Sequence, residues 1–216
     1  MEESATQGDS PPESSRAAAD NSTTAQPQVP PSIEGPNTVV ASDVEKRINE
    51  ERSAAGLEEL TRDENLVLAA AQWAEHMASE GYEHSPVERL EGIRTGGSYG
   101  ALAENIHNPA NQCPSQPCLF QEYYPSSGTL HVDWMRSTKH RNAILEAGFS
   151  KVGVGVYCSA NGDLWAVTLF ASPYETRVPQ LTETVYKEPF IGTSDGYTCT
   201  NKYRDHNPLW VNSPIK

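Results

Sequence analysis

The chain has 216 residues, 37% of them hydrophobic and 21% charged, which is enough for one good hydrophobic core. Its formal net charge of −13 argues against nucleic acid as a partner, because a phosphate backbone is bound by neutralising it with Lys and Arg. Anionic membrane surfaces are disfavoured for the same reason. The longest apolar run, 66–71, is far shorter than the roughly 20 residues of a bilayer span, so no transmembrane segment is expected.

The first 40 residues are rich in Ser, Thr, Pro, Gln and acids and contain almost no large apolar side chain. Such a segment buries too little apolar surface to offset the entropy lost on folding. We therefore expect residues 1–40 to be a flexible linker or tail.

Two capping-box patterns predict helix starts. The first, Ser-Asp-Val-Glu at 42–45, opens a helix that Gly56 would end, and the second, Thr-Arg-Asp-Glu at 61–64, opens a stronger helix that Gly81 would end. One face of the second helix carries an apolar stripe at helical spacing, which predicts core packing. The stripe consists of Leu66, Ala69, Ala70, Trp73, Ala74 and Met77.

The middle of the chain is rich in loop signals. Residues 82–99 contain Pro86 and several glycines, and residues 108–129 form a second irregular stretch, so both are predicted mainly as loops. A helix is expected from Leu130 towards Arg136, and a short one from a cap at 137 or 138 through 145.

Two β-rich runs, 152–157 and 164–171, flank Asn-Gly at 161–162, the sequence that tight hairpin turns favour. The second run is apolar on both faces, which is typical of a central strand. In the first run, Gly153 and Gly155 leave one face nearly bare, so another element can approach the backbone closely. Helices followed by strands predict an α+β domain.

Four cysteines, an even number without a Cys-x-x-Cys pair, allow three disulfide connectivities. Cys113 and Cys118 flank a short turn-rich loop that suits a local disulfide, which would leave Cys158 to pair with Cys199. The alternative is four reduced thiols. The second disulfide would fasten the polar, Pro-punctuated segment 174–216 to the domain as an extension.

Short signatures appear in a fixed order along the chain: His-Ser at 84–85, Ala-Glu-Asn-Ile at 103–106, Ser-Thr-Lys-His-Arg-Asn-Ala-Ile-Leu at 137–145, and Val-Gly-Val-Gly-Val at 152–156. Together they resemble the CAP superfamily (SCP/TAPS, the cysteine-rich secretory protein, antigen 5 and pathogenesis-related-1-like domain) in its bacterial and archaeal form. The resemblance implies a three-layer α-β-α sandwich with a central antiparallel sheet, here over residues 41–173.

In this family two His and two acidic residues meet at the floor of a cleft, and the resemblance places His84, Glu104 and His140 at three of these positions. Ser137 stands where the second acid is expected, and Ala103 replaces the usual Gly. Two imidazoles and one carboxylate suit Zn²⁺ or another divalent metal, with a fourth position for water. The three residues are therefore candidate ligand-binding and metal-binding residues.

A second interpretation makes Ser137 the nucleophile and His140 its base, because residues three apart are neighbours on a helix. No orienting carboxylate is evident unless Glu104 serves, and Asp133 and Glu122 are the other candidate acids. His131 could approach the cleft, but we expect it at the surface.

The leading hypothesis is a secreted or cell-envelope-associated protein whose cleft binds a ligand, with or without a divalent metal, rather than an enzyme with efficient turnover. Because certain eukaryotic members of the family bind sterols and fatty acids, the resemblance implies a small apolar molecule as one candidate partner; an envelope component or a protein is another. The alternatives are a secreted hydrolase, metal-assisted or based on Ser137 and His140, and a structural or adhesive module with a vestigial cleft. We expect a monomer. No leader is evident at the start of the sequence; if the cysteines form disulfides, we expect that the sequence begins after one.

Overall fold

A computed structural model of the protein describes residues 36–109, 125–175, 190–200 and 203–204. Helices and strands follow one another along the chain as α1 (Pro36–Ala54), β1 (Thr61–Arg62), α2 (Glu64–Glu80), α3 (Val87–Gly96), β2 (Tyr99–His107), α4 (Ser127–Arg136), α5 (Thr138–Ile144), β3 (Lys151–Cys158), β4 (Leu164–Pro173), β5 (Gly196–Tyr197) and β6 (Tyr203–Arg204).

The central sheet has four strands in the order β1-β3-β4-β2. β4 pairs antiparallel with β3 and β2, and the short β1 runs parallel to β3. Gly162 adopts a φ of +84° in the connection between β3 and β4, as the Asn-Gly pattern predicts. β4 is an interior strand whose side chains are buried on both faces, which confirms the prediction of a central strand.

Helices cover both faces of this sheet. On one face, the apolar stripe of α2 packs against Val167 and Leu169 of β4, and Leu90 and Ile93 of α3 extend the cluster. On the other face, buried side chains of α1, α4 and α5 pack against β3 and β4. The arrangement confirms the three-layer α-β-α sandwich. No helix in the described part of the chain is long and apolar enough to cross a bilayer.

Gly153 and Gly155 let α2 lie directly against β3. A Cβ atom at Gly155 would collide with the backbone of Ala70 and Ala71, and one at Gly153 would collide with the backbone at 66–67. The bare face of the strand is therefore filled by helix backbone, as the sequence predicts.

Several predicted helix starts are wrong. α1 begins at Pro36 rather than at Ser42, so the first capping box lies inside the helix. α2 is capped by Asp63, which accepts hydrogen bonds from the amides of Asn65 and Leu66. Thr61, the expected cap, belongs to β1 instead, because the backbone there pairs with the start of β3.

Three elements lie in or beside the stretches that are predicted as loop. Within 82–99 the chain forms α3, none of whose residues is fully buried; its apolar face is limited to partly buried side chains such as Leu90 and Ile93, a weak signal beside Pro86 and the glycines. β2 follows at Tyr99–His107; its pairing with β4 places Glu104 opposite Leu169 and continues to His107 opposite Ala166. α4 begins at Ser127 rather than near Leu130. Its start is fixed by a capping box between Ser126, the N-cap, and Thr129 at position N3.

The segment 190–200 is held against α1 and α4 by buried polar groups. The carboxylate of Glu51 accepts hydrogen bonds from the amides of Gly192 (2.7 Å) and Ile191 (3.2 Å), and Arg47 donates to the carbonyls of Thr193 and Asp195. A Cys158–Cys199 disulfide, with Cα atoms 5.3 Å apart, ties the same segment to the end of β3.

This disulfide confirms the predicted pairing of Cys158 with Cys199. The predicted Cys113–Cys118 disulfide lies outside the described residues. The boundaries of tail, domain and extension remain predictions.

Candidate functional site

The site is built around the carboxylate of Glu104 on β2, whose side chain is only 3% exposed. Its Oε1 accepts hydrogen bonds from the Ser85 amide (2.9 Å) and lies 2.9 Å from His84 Nδ1. Its Oε2 accepts one from Ser85 Oγ (2.6 Å). A buried carboxylate needs such partners, and these three donors supply them from the segment that follows α2.

Arg89 on α3 supports this carboxylate through Ser85. Its guanidinium donates to Ser85 Oγ (2.9 Å) and to the Ala69 carbonyl of α2, and lies 5.0 Å from the ring centroid of Trp73. Burial lowers the pKa of Arg89, and the negative charge of Glu104 opposes that effect. The position of Glu104 is thus set by α2 and α3 together.

His84 itself is 61% exposed. Because Nδ1 is occupied by Glu104, Nε2 is the ring nitrogen left for a ligand. The hydrogen bond also fixes the ring's orientation.

His140 reaches the same place from α5. Its backbone carbonyl accepts a hydrogen bond from Asn105 Nδ2 (3.1 Å), next to Glu104 on β2, and its ring centroid lies 6.5 Å from that of Trp134. Burial lowers the pKa of His140, and the nearby His84 and Lys139 lower it further. Behind it, burial and then His140 lower the pKa of His107 to about 3, so His107 is neutral at physiological pH.

A cleft of about 340 Å³ lies between β2 and α5, beside the segment that carries His84. It therefore brings together the three predicted residues His84, Glu104 and His140. The full lining is His84, Ala103, Glu104, Asn105, Lys139, His140, Asn142 and Ala143.

The structure does not join the other predicted residues to the cleft in the same way. Ser137 is the N-cap of α5, and its hydroxyl hydrogen bonds neither to His140 nor to any other group of the described chain. Asp133 is not among the lining residues, and burial raises its pKa to about 6 while Arg136 opposes the shift. Glu122 lies outside the described residues.

His131 is not at the surface, as expected from the sequence, but completely buried. Its Nε2 lies 3.5 Å from Glu51 Oε1, on a helix distant in sequence. Burial lowers the pKa of His131, although Glu51 opposes that effect.

The arrangement does not fit a three-ligand metal site. Both oxygens of Glu104 are occupied by Ser85 and His84, and no group of three His, Cys, Asp or Glu side chains in the described segments is placed to hold a metal ion. The imidazoles of His84 and His140 remain as candidate ligands.

Sequence reasoning gave no role to Ser85, Arg89 or Lys139. Arg89 lies in the first turn of α3 and Ser85 just before the N-cap Pro86, so the two are close in sequence, but no helical pattern links them. Their connection to Glu104 has no signal in the sequence, because it depends on how α3 packs beside β2.

A larger and more open cavity of about 540 Å³ lies between α2 and the end of β3. It contains none of the predicted site residues and no buried charged group, so we place the candidate site in the smaller cleft. The residues that line it are Gln72, Glu75, His76, Ala78, Ser79, Tyr157 and Ser159.

Comparisons with known proteins agree with this fold. The model of the cysteine-rich secretory protein family, called CAP, matches residues 45–170, more than half of the chain. An outer surface protein of Borrelia burgdorferi has a similar structure, with a TM-score of 0.50 and 16% identity over 62% of this chain and 92% of that one.

Two further solved structures are similar at lower scores. A cysteine-rich secretory protein of Staphylococcus aureus has a TM-score of 0.47 and 21% identity, over 63% of this chain and 39% of that one. A structure of NaASP2 with Zn²⁺ has a TM-score of 0.42 and 13% identity, over 67% of this chain and 86% of that one. No curated protein matches the sequence significantly. From the extent of the family match, this chain belongs to the CAP family of cysteine-rich secretory proteins.

Proposed function

We propose that this protein is an extracellular or cell-envelope-associated binding protein, whose cleft holds a ligand against His84, Glu104 and His140 without efficient turnover. The observation that carries the proposal is the state of Glu104. Its two oxygens accept three hydrogen bonds and its side chain is 3% exposed. A carboxylate bound in this way shapes a site, but it is poorly placed to take a proton from a substrate.

The absence of a partner for Ser137 within the described chain also favours binding over hydrolysis. An activated serine needs a base within hydrogen-bond reach, and Ser137 Oγ has no such contact with His140. The hydrolase alternative predicts activity on casein or simple esters that disappears in Ser137→Ala or on chelation.

An extracellular location is supported by the disulfide between Cys158 and Cys199, because such bonds persist in oxidising compartments. The similar structures include an outer surface protein and a secretory protein, which also supports an extracellular or cell-surface location.

The ligand would be a small molecule with an apolar part, an envelope fragment or a segment of a protein. The cleft volume of about 340 Å³ lies in the range of small-molecule sites, and Ala103 and Ala143 give it small apolar walls. A cleft without any ligand would favour the structural module instead.

The test is a titration followed by NMR of the imidazole resonances of His84 and His140. A panel of fatty acids, sterols and cell-wall fragments should include a compound that shifts both resonances saturably and loses affinity in His84→Ala and His140→Ala. His76→Ala, on α2 and away from the cleft, is the matched control. If no compound shifts either resonance, the binding proposal is wrong.

Zinc is tested separately by calorimetry on chelator-stripped protein. Because Glu104 is already occupied, we expect no stoichiometric binding in the micromolar range. Tight binding that is lost in both His84→Ala and His140→Ala would restore the metal-site prediction.

A further inference from the structure

Polar groups without partners converge on the cleft. Lys139 is exposed at its rim and forms no ion pair with any described residue, and neither the amide of Asn142 nor the ring nitrogens of His140 form a hydrogen bond there. His84 contacts the described residues through Nδ1 alone, at Glu104. The cleft thus presents an ammonium group and several N–H donors that nothing within the described chain satisfies.

The same cleft presents no accessible negative charge. Glu104 is the only acid among its described lining residues, and its carboxylate is buried under hydrogen bonds from Ser85 and His84. The cation of Arg89 lies behind it, bonded to Ser85. At the position where the family places a second acid, this chain has Ser137. On a chain with a net charge of −13, this is a local patch of opposite character.

We propose that the cleft binds the oxyanion group of its ligand, a carboxylate or a similar anionic head group, with Lys139, His140 and Asn142 as its donors. An ammonium and N–H groups form charge-assisted hydrogen bonds to such a group. Ala103 and Ala143 leave room beside it for an apolar portion of the ligand. The inference rests on the proposed function, since it names the chemical class that the same cleft selects.

The experiment compares octanoate with octan-1-ol, which share the alkyl chain and differ in charge. Both are titrated into the full chain while the His84 and His140 resonances are followed. Octanoate should shift them saturably and octanol should not. Sulfate forms a third arm: binding of sulfate as tight as that of octanoate would identify a polar anion as the ligand, and weaker binding would identify an amphiphilic one.

A substitution then removes the positive charge of Lys139. Lys139→Gln should weaken octanoate binding about three- to fivefold, as expected for a partly exposed ion pair. Lys46→Gln, which removes another exposed lysine on α1, should leave the affinity unchanged. Since Lys139 is exposed, the variant is expected to fold normally.

The inference is overturned if octanol binds as well as octanoate, if Lys139→Gln has no effect, or if neither octanoate nor sulfate shifts the two resonances. If an uncharged member of the wider panel still shifts them, only the oxyanion inference fails and the cleft remains a binding site. If no compound of any kind does, the proposed function fails as well.

Discussion

Substitution of Glu51 is the most direct test of how the segment 190–200 is held against α1. The side chain is fully buried and accepts hydrogen bonds from the amides of Ile191 and Gly192, with His131 at 3.5 Å. In Glu51→Gln, one of the two oxygens becomes an NH₂ group. In either orientation of the new side-chain amide, its NH₂ group faces a backbone N–H donor, that of Ile191 or that of Gly192.

The expected decrease in the free energy of unfolding follows from the hydrogen bonds that the substitution removes. The two bonds to a charged acceptor become one bond to a neutral acceptor, and a buried N–H is left without a partner, which alone costs about 1–3 kcal/mol. Weaker pairing with His131 adds to this. We expect Glu51→Gln to lower the free energy of unfolding by about 2–4 kcal/mol, equivalent to about 1 M in the urea midpoint.

Urea unfolding of both proteins by circular dichroism is the assay, and Glu50→Gln is the control. Glu50 is next to Glu51 in sequence but exposed, and among the described residues it pairs with Lys46 alone, so its substitution should change the midpoint very little. A midpoint for Glu51→Gln that matches that of Glu50→Gln would refute the argument that these hydrogen bonds hold the segment.

The difference between wild type and Glu51→Gln should also depend on pH. Burial raises the pKa of Glu51, but hydrogen bonds from His131, Ile191 and Gly192 outweigh it and lower the pKa below its ordinary value of 4.5. A lowered carboxyl pKa contributes stability that is complete above the ordinary value and is lost as the pH falls. The gap between the two proteins should therefore shrink below about pH 4.5.

Three other substitutions test the fold. Replacing Cys158 and Cys199 together by Ser opens a loop of sequence separation 41 and should lower stability by up to about 4 kcal/mol, with reductant on the wild type giving a similar loss. Gly155→Ala should cost about 1–3 kcal/mol because its Cβ meets α2 backbone, whereas Gly92→Ala, in open space on α3, should be stabilising by thermal unfolding. Asp63→Ala should cost about 1–2 kcal/mol through loss of the α2 cap; a smaller loss would mean that another acceptor takes over the amides of Asn65 and Leu66.

What the sequence predicts well are elements whose signal is local. The stripe from Leu66 to Met77 repeats at helical spacing, and its residues form the buried face of α2. Asn161 and Gly162 specify the hairpin without reference to the rest of the chain.

The sequence-based predictions are wrong where contacts between residues far apart in sequence determine the local structure. Thr61 leaves its capping box because β1 pairs with β3, about 90 residues later. β2 contains Ala, Gly, Glu and Asn, poor strand formers, and is formed by its pairing with β4. His131 is buried because Glu51 provides a partner that nothing in the sequence near it announces.

The site shows the same division. The motifs predict that His84, Glu104 and His140 matter, and the cleft contains all three. The state of Glu104 could not be predicted, because Arg89 reaches it through a second side chain. Whether a carboxylate is accessible or already hydrogen-bonded depends on such tertiary contacts more than on the sequence motif that contains it.

The close contact between Gly155 and α2 has a consequence for the cleft, although the two are on different strands. The helix backbone that rests on Gly155 is adjacent to the Ala69 carbonyl, which anchors Arg89, and Arg89 in turn holds Ser85 against Glu104. The separation between α2 and the sheet is therefore coupled to the position of the Glu104 carboxylate. A methyl group added at Gly155 would displace α2 and, through Arg89 and Ser85, disturb the hydrogen bonds to Glu104, although Gly155 does not line the cleft.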